Sequence, residues 1–282
     1  MQAERYNRHT IDMMAPAHSE PPILLDRTEL ADVVDLALWA GTLLMQSGAE
    51  SERVEETVQH IGTALKANWL DILVSPNVLI ITTSSADGEF RTKVRRITGL
   101  GARMDIVDAV NDLSRRITPE KLNRAQVRAE LTRIAQMPVY NRWLVVFMVA
   151  AACAALSRLV GGDLVVFGIT FVASGVAQFV RQELLRRHFN LFLVVAITAL
   201  VATLIAASAV LWDLSPRAQV AISSSVLLLV PGVHLINAAE DIIKGHLVTG
   251  LTRGFLGVII SLAIAIGITL ALGVLQVPVT LR

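Results

Sequence analysis

FNLFLVVAITALVATLIAASAVLW, residues 189–212, runs for 24 positions without a charged side chain. As a helix it would rise about 36 Å, enough to cross the roughly 30 Å hydrocarbon core of a bilayer. The same reading extends to both sides. Apolar stretches cover residues 143–160 and 164–180 before it, and 218–239 and 247–274 after it. The breaks are short: Gly161-Gly162-Asp163, then Arg181 to His188, Asp213 to Arg217, and Glu240 to His246. A soluble all-helical core would need polar faces that five consecutive runs with so few charges do not offer. The prediction is an all-α transmembrane bundle of five helices over residues 141–282.

Composition agrees. Of 282 residues, 54% are hydrophobic and 17% charged, against about a quarter charged in soluble domains; mean hydropathy is +0.58. The charges are uneven: 17 basic and 19 acidic residues precede Trp143, and 8 and 5 follow. Net charge is +1, so no field favours nucleic acid as a partner. The single cysteine, Cys153, lies in an apolar run, which excludes an intramolecular disulfide framework and a cysteine zinc site; no metal or cofactor is expected. The first 25 residues are polar and contain Pro16, Pro21 and Pro22, so no secretory signal is read there.

The polar half predicts a disordered tail over residues 1–27 and a soluble α+β domain over 28–140. A helix from Thr28 carries Leu30, Val33, Val34, Leu36 and Ala37 and stops at Ser47-Gly48. Ser51, read as a cap, opens a second helix with Val54, Val58, Ile61 and Leu65 on one face. Residues 70–74 and 78–83 read as strands, and Asp87-Gly88 as a hairpin turn into a return strand over 90–97. Helices follow over 105–116 and 119–136, the second with Pro119 in its first turn.

The residues that could carry chemistry concentrate in LLLVPGVHLINAAEDIIKGHLVTGLTR, residues 227–253. Pro231-Gly232 interrupts an apolar run, and proline removes a backbone donor and frees carbonyls inside the membrane. Transporters use such broken helices near the midplane; an ordinary proline kink is the plain alternative. His234, Asn237, Glu240, Asp241 and Lys244 follow at spacings of three or four, and ionisable groups within a bilayer usually face a cavity or the protein interior. For Glu240 a solvated helix end, paired with Lys244, weighs equally. Gly250 and Gly254, extended by Gly257 and Ser261, allow close helix contact. Gln178 and Arg181 end the second span as snorkelling side chains.

No enzyme signature stands out, and no catalytic residue is assigned. Gly99-Leu100-Gly101 lacks the third glycine of a dinucleotide site. A triad from His60, Ser47 and Ser51 would need more than sequence proximity. Basic residues set orientation: Arg142, Arg181, Arg186, Arg187, Lys244 and Arg253 fall on one side, and Arg158, Arg217 and Arg282 on the other. That predicts a cytoplasmic N-terminus and, after five spans, a periplasmic C-terminus.

Two stretches together resemble a known family. LLMQSGAESERVEETVQHIGTAL, residues 43–65, and VPGVHLINAAEDIIKGHLVTGLTR, residues 230–253, are similar to the two signatures of the threonine/serine exporter (ThrE-like) family. The resemblance implies a cytosolic α+β domain, a five-helix bundle and export of small polar metabolites. Fused family members carry a second bundle; this chain holds one, and so is most similar to the YjjP-type large subunit of a split dicarboxylate (succinate) exporter in the bacterial inner membrane. A small membrane subunit would supply the other bundle, or a homo-oligomer would form. The positions carried over are Gly48, Ala49, Glu50, Arg53, Pro231, Gly232, Asn237, Asp241, Gly245, Gly250 and Arg253. Asn237 would bond the substrate and Asp241 would act as coupling or gating carboxylate, exchanging partners with Lys244 or Arg253. The rival reading is a membrane-anchored cytoplasmic sensor without transport, which a plain anchor lacking those polar groups would suit better.

Overall fold

The structure is a computed structural model that describes residues 25–67, 69–84, 90–99 and 101–276. It divides into two compact units, Met1–Ala135 and Gln136–Arg282. The expected tail, but for residues 25–27, lies outside the described residues, as does the Asp87-Gly88 turn.

The first unit runs α1 (Arg27–Gln46), α2 (Ser51–Ala64), β1 (Asp71–Ser75), β2 (Val78–Ser84), β3 (Phe90–Arg96), α3 (Met104–Ile117) and α4 (Arg124–Ala135). Asp26 starts α1 by accepting the Arg27 N–H at 2.7 Å, which satisfies one of the orphan donors of a helix start. Gly48 ends it in the left-handed region at φ +87°. There the Ala49 N–H reaches Leu44 O at 3.0 Å and the Gly48 N–H reaches Met45 O at 3.3 Å, the paired bonds of a Schellman turn. The cap of α2 is Glu50, so Ser51 is the first helical residue and not the cap.

The three strands form an antiparallel meander with β2 in the middle. Alternation along β2 buries Leu79, Ile81 and Thr83. Leu36, Leu44, Ile61, Leu113 and Leu131 on the helices are also buried, and each large buried side chain stabilises the unit by about 1.5–3 kcal/mol. One helix start differs from expectation. Pro119 lies in the turn after α3, and α4 begins at Arg124. Asn123 Oδ1 accepts the Gln126 N–H at 2.9 Å and Gln126 Oε1 accepts the Asn123 N–H at 2.8 Å. That reciprocal capping box satisfies two donors at once and outweighs a proline start.

The second unit contains α5 (Arg142–Leu159), α6 (Leu164–Arg186), α7 (Leu191–Ala206), α8 (Ser208–Leu211), α9 (Gln219–Val226), a 3₁₀ turn (Leu227–Leu229), α10 (Gly232–Ile243) and α11 (Leu247–Leu275). Asn141, Asp163 and Asn190 cap α5, α6 and α7 through their side chains. Among the described residues, four helices are long and apolar enough to cross a membrane: Arg142–Leu159, Leu164–Arg186, Leu191–Leu211 and Leu247–Leu275. A fifth crossing exists only if Gln219–Leu229 and Gly232–Ile243, bent by 58° to each other, count as one span.

Two expected breaks are shorter than the charge pattern suggested. Helix α6 continues through Arg181 to Arg186, and α10 runs to Ile243, so Glu240 and Asp241 are helical. Small residues let the helices close on one another. A Cβ at Gly267 of α11 would fall 2.4 Å from the Ala196 carbonyl oxygen of α7, and Ala177, Ala202 and Val226 bring α6, α7 and α9 together. Outward, Leu251, Phe255, Val258 and Leu262 form an exposed apolar stripe on α11, the surface a lipid-facing helix presents.

Candidate functional site

The site begins where the 3₁₀ turn stops. Val230 is extended (ψ 125°), and α10 starts anew when the Leu235 N–H bonds Pro231 O at 3.0 Å. Proline cannot donate to the preceding turn, so the helix cannot run straight through. At its other end α10 closes on Gly245, at φ +90°. The His246 N–H reaches Asp241 O at 2.8 Å and the Gly245 N–H reaches Ile242 O at 3.2 Å, a second Schellman turn that sends the chain back as α11.

Helix α11 lies close against α10 because the facing residues are glycines. A Cβ at Gly250 would fall 2.6 Å from Ile242 Cγ1 and 2.9 Å from Ala238 O, and one at Gly257 would fall 2.5 Å from Leu235 Cδ2. The GxxxG stripe therefore serves packing within the chain. Between these glycines sits Arg253, whose Nη1 donates to Asp241 Oδ2 at 2.8 Å. The carboxylate is 0% exposed and the guanidinium side chain 7%. His234, Asn237 and Glu240 are partly buried on α10, and Lys244 is exposed at its end.

The structure thus gathers Pro231, Gly232, His234, Asn237, Asp241 and Arg253 on a break, a short helix and the helix that returns along it. Asp241 bonds directly to Arg253, two turns into α11, so Arg253 belongs to the helix interior and not to a loop that sets orientation. Arg181 likewise falls inside α6. Gln178 is 6% exposed, which corrects its reading as a snorkelling side chain. A buried pair of this kind is sensitive to any competing ion: an anionic substrate would compete with Asp241 for Arg253, because an ion removed from water needs a partner.

The other motif stays in the first unit. Gly48 and Ala49 form the α1–α2 turn, with Ala49 4% exposed, and Arg53 Nη2 stands 3.4 Å from Glu50 Oε1. The imagined triad does not assemble. His60 Nδ1 meets Ser114 Oγ of α3 at 3.3 Å, while Ser51 lies nine residues earlier on α2, about 13 Å along its axis.

Sequence reading missed one cluster in the second unit. Ser215 Oγ donates to Asp163 Oδ2 at 2.6 Å and Arg217 Nη1 donates to Gly161 O at 2.8 Å. With Arg158 and Pro216 they line an open pocket of about 440 Å³. The Ser215 hydroxyl, with the Val166 N–H, holds the Asp163 carboxyl below its ordinary value. Gly-Gly-Asp and Ser-Pro-Arg are turn formers that mark two loops, but no pattern says that loops some fifty residues apart clasp each other.

A family model described as "Putative threonine/serine exporter" matches residues 35–275. The "Probable succinate transporter subunit YjjP" of Klebsiella aerogenes is 36% identical over 88% of this chain and 95% of its own length. The protein of that name from Escherichia coli is 35% identical over 85% and 93%. A "Probable threonine/serine exporter" of Mycobacterium tuberculosis is 24% identical over 88% of this chain, which spans 47% of that relative. No solved structure matches the chain.

Proposed function

Since the chain belongs to the threonine/serine exporter family, we propose that this multi-pass membrane protein is the large subunit of a secondary exporter of small carboxylates, succinate-like dicarboxylates first and threonine or serine second. The observation that carries the reading is the buried Asp241–Arg253 pair, 2.8 Å apart beside a helix broken at Pro231. Groups so arranged suit alternating access: proline at the break cannot donate to the preceding turn, and an ion pair has two arrangements, closed on itself or opened by a substrate anion. Arg253 receives the substrate carboxylate, Asp241 is released and recloses the pair when the substrate leaves, and Asn237 and His234 flank the opening. No chemical bond is made or broken.

A second membrane subunit fits the same reading. Two relatives are named subunits, and the longer relative has room for another bundle beyond the part this chain spans. Helices α10 and α11 carry uncovered apolar side chains, Ile236, Ile243, Leu247 and Val248, suited to lipid or to such a bundle. In this reading residues 28–140 form the cytoplasmic domain, residues 141–282 the five-span bundle of an inner-membrane protein, and Gly48, Ala49, Glu50 and Arg53 a motif of the cytoplasmic side. The test is efflux of labelled succinate and threonine from cells carrying the chain with and without a membrane partner encoded beside it. Faster succinate efflux than in cells lacking the chain supports the assignment; efflux of both compounds unchanged by the chain, with or without the partner, overturns it.

A further inference from the structure

Thr170, Ser174, Gln178 and Arg181 follow one another on α6 at spacings of four, four and three, a single stripe of the helix. Next to them, Ala173 and Ala177 pack with Ala206 and Ala202 of α7 and with Ala221 and Val226 of α9, so the stripe lies where three helices converge. Thr170 and Ser174 are fully buried and Gln178 is 6% exposed. Ser174 finds Ser225 O at 3.5 Å. Thr170 Oγ1, Gln178 Oε1, Arg181 Nε and, on α7, Thr203 Oγ1 are withdrawn from solvent and meet no hydrogen-bond partner among the described residues. Arg181 also has no carboxylate in ion-pair reach among those residues, in contrast to Arg253 with its Asp241.

Interiors almost always satisfy buried polar atoms, and three left over on one helix stripe, with a fourth on the helix that packs beside it, point to a place where something else binds. We propose that Arg181 and Gln178 form an anion subsite for one carboxylate of the transported substrate, and that the hydroxyls of Thr203 and Thr170 continue it as a polar path through the bundle. The guanidinium binds a carboxylate through two parallel charge-assisted bonds, which strengthen away from water. From Arg181 to Thr170 the helix rises about 16 Å, longer than a small dicarboxylate, so the stripe is a route with one charged end and not a single pocket. This subsite rests on the carboxylate-exporter reading and deepens it.

The test uses the full-length chain in nanodiscs, with and without its membrane partner, succinate as probe, and both calorimetric affinity and succinate-induced thermal shift as readouts. Arg181→Gln should weaken succinate at least tenfold, while Arg181→Lys, which keeps a point charge but not the planar fork, should lose less. Gln178→Glu places a carboxylate one turn from Arg181. The ligand-free protein should then melt higher than wild type and no longer respond to succinate, a gain that misfolding cannot produce. Wild-type affinity in Arg181→Gln, or a Gln178→Glu protein that melts lower and still binds succinate, overturns the subsite and leaves the exporter reading standing. A wild-type protein that binds no succinate, alone or with its partner, overturns both.

Discussion

Asp241 and Arg253 face each other across α10 and α11 at 2.8 Å, with neither side chain more than 7% exposed. Removing one partner of such a pair takes its counter-charge from a buried ion, which destabilises by about 3–5 kcal/mol. Asp241→Asn should therefore lower the melting temperature as well as abolish export. Asp241→Asn combined with Arg253→Gln should restore most of the stability and none of the export, since the transport role needs the charges and the fold does not. Glu240→Gln, one position away, should retain substantial export. Melting curves and efflux on matched amounts of protein check this; full export in the double variant would remove the pair from the mechanism.

Gly250→Ala tests the close approach that creates the pair. Its Cβ would meet backbone as well as side chain, at 2.9 Å from Ala238 O and 3.0 Å from Ile242 N, so the helices must separate. Overpacking of this kind destabilises by about 1–3 kcal/mol. Gly168→Ala, where a Cβ meets nothing within 4 Å, should leave melting unchanged. Equal melting of Gly250→Ala and wild type would show that α11 does not need that contact.

How far the sequence reveals such features depends on their range. Strands and helices of the first unit follow from local periodicity, and the apolar runs of the second from length alone. The break at Pro231 was legible because proline acts on its own turn. The Asp241–Arg253 pair was visible only as two candidates among several, since a spacing of twelve residues depends on the turn at Gly245 and on the glycines of α11. Gln178 reads as an interfacial anchor because it stands beside a charge near the end of an apolar run, and only the continuation of α6 to Arg186 shows it to be buried. The α4 start is displaced to Arg124 by a reciprocal cap at Asn123, in which asparagine stands where serine or threonine is usual.

The bent pair decides the topology. If Gln219–Leu229 and Gly232–Ile243 cross together, alkaline phosphatase fused after residue 282 should be active and, after Arg187, inactive. Arg142, Arg186, Arg187 and Lys244 then lie inside, as the positive-inside rule requires. Opposite activities would reverse the orientation. Inactivity at both positions would mean that the pair enters and leaves on one side, and that the bundle has four crossings.

Acid should loosen the loop clasp at the other end of the bundle. Asp163 accepts from Ser215 first and from the Val166 N–H next, and both lower its pKa from the ordinary 3.8. A carboxyl with a depressed folded pKa contributes stability that is fully present above its unfolded value and is lost as pH falls through the folded one. Ser215→Ala removes the larger cause and moves the Asp163 pKa back toward 3.8. The variant should therefore melt below wild type at pH 6, where the carboxylate is charged in both folded and unfolded chains. That gap should narrow as pH falls below 3.8, as the Asp163 carboxyl takes up its proton and the Ser215 O–H loses its charged acceptor. Thermal unfolding of both proteins from pH 7 down to about pH 2 in the same detergent reads the gap directly. A gap that stays constant over that range would mean that Ser215 holds the loop through packing or through its bond to the Arg217 N–H, 3.1 Å away, and that the Asp163 charge contributes nothing to the clasp.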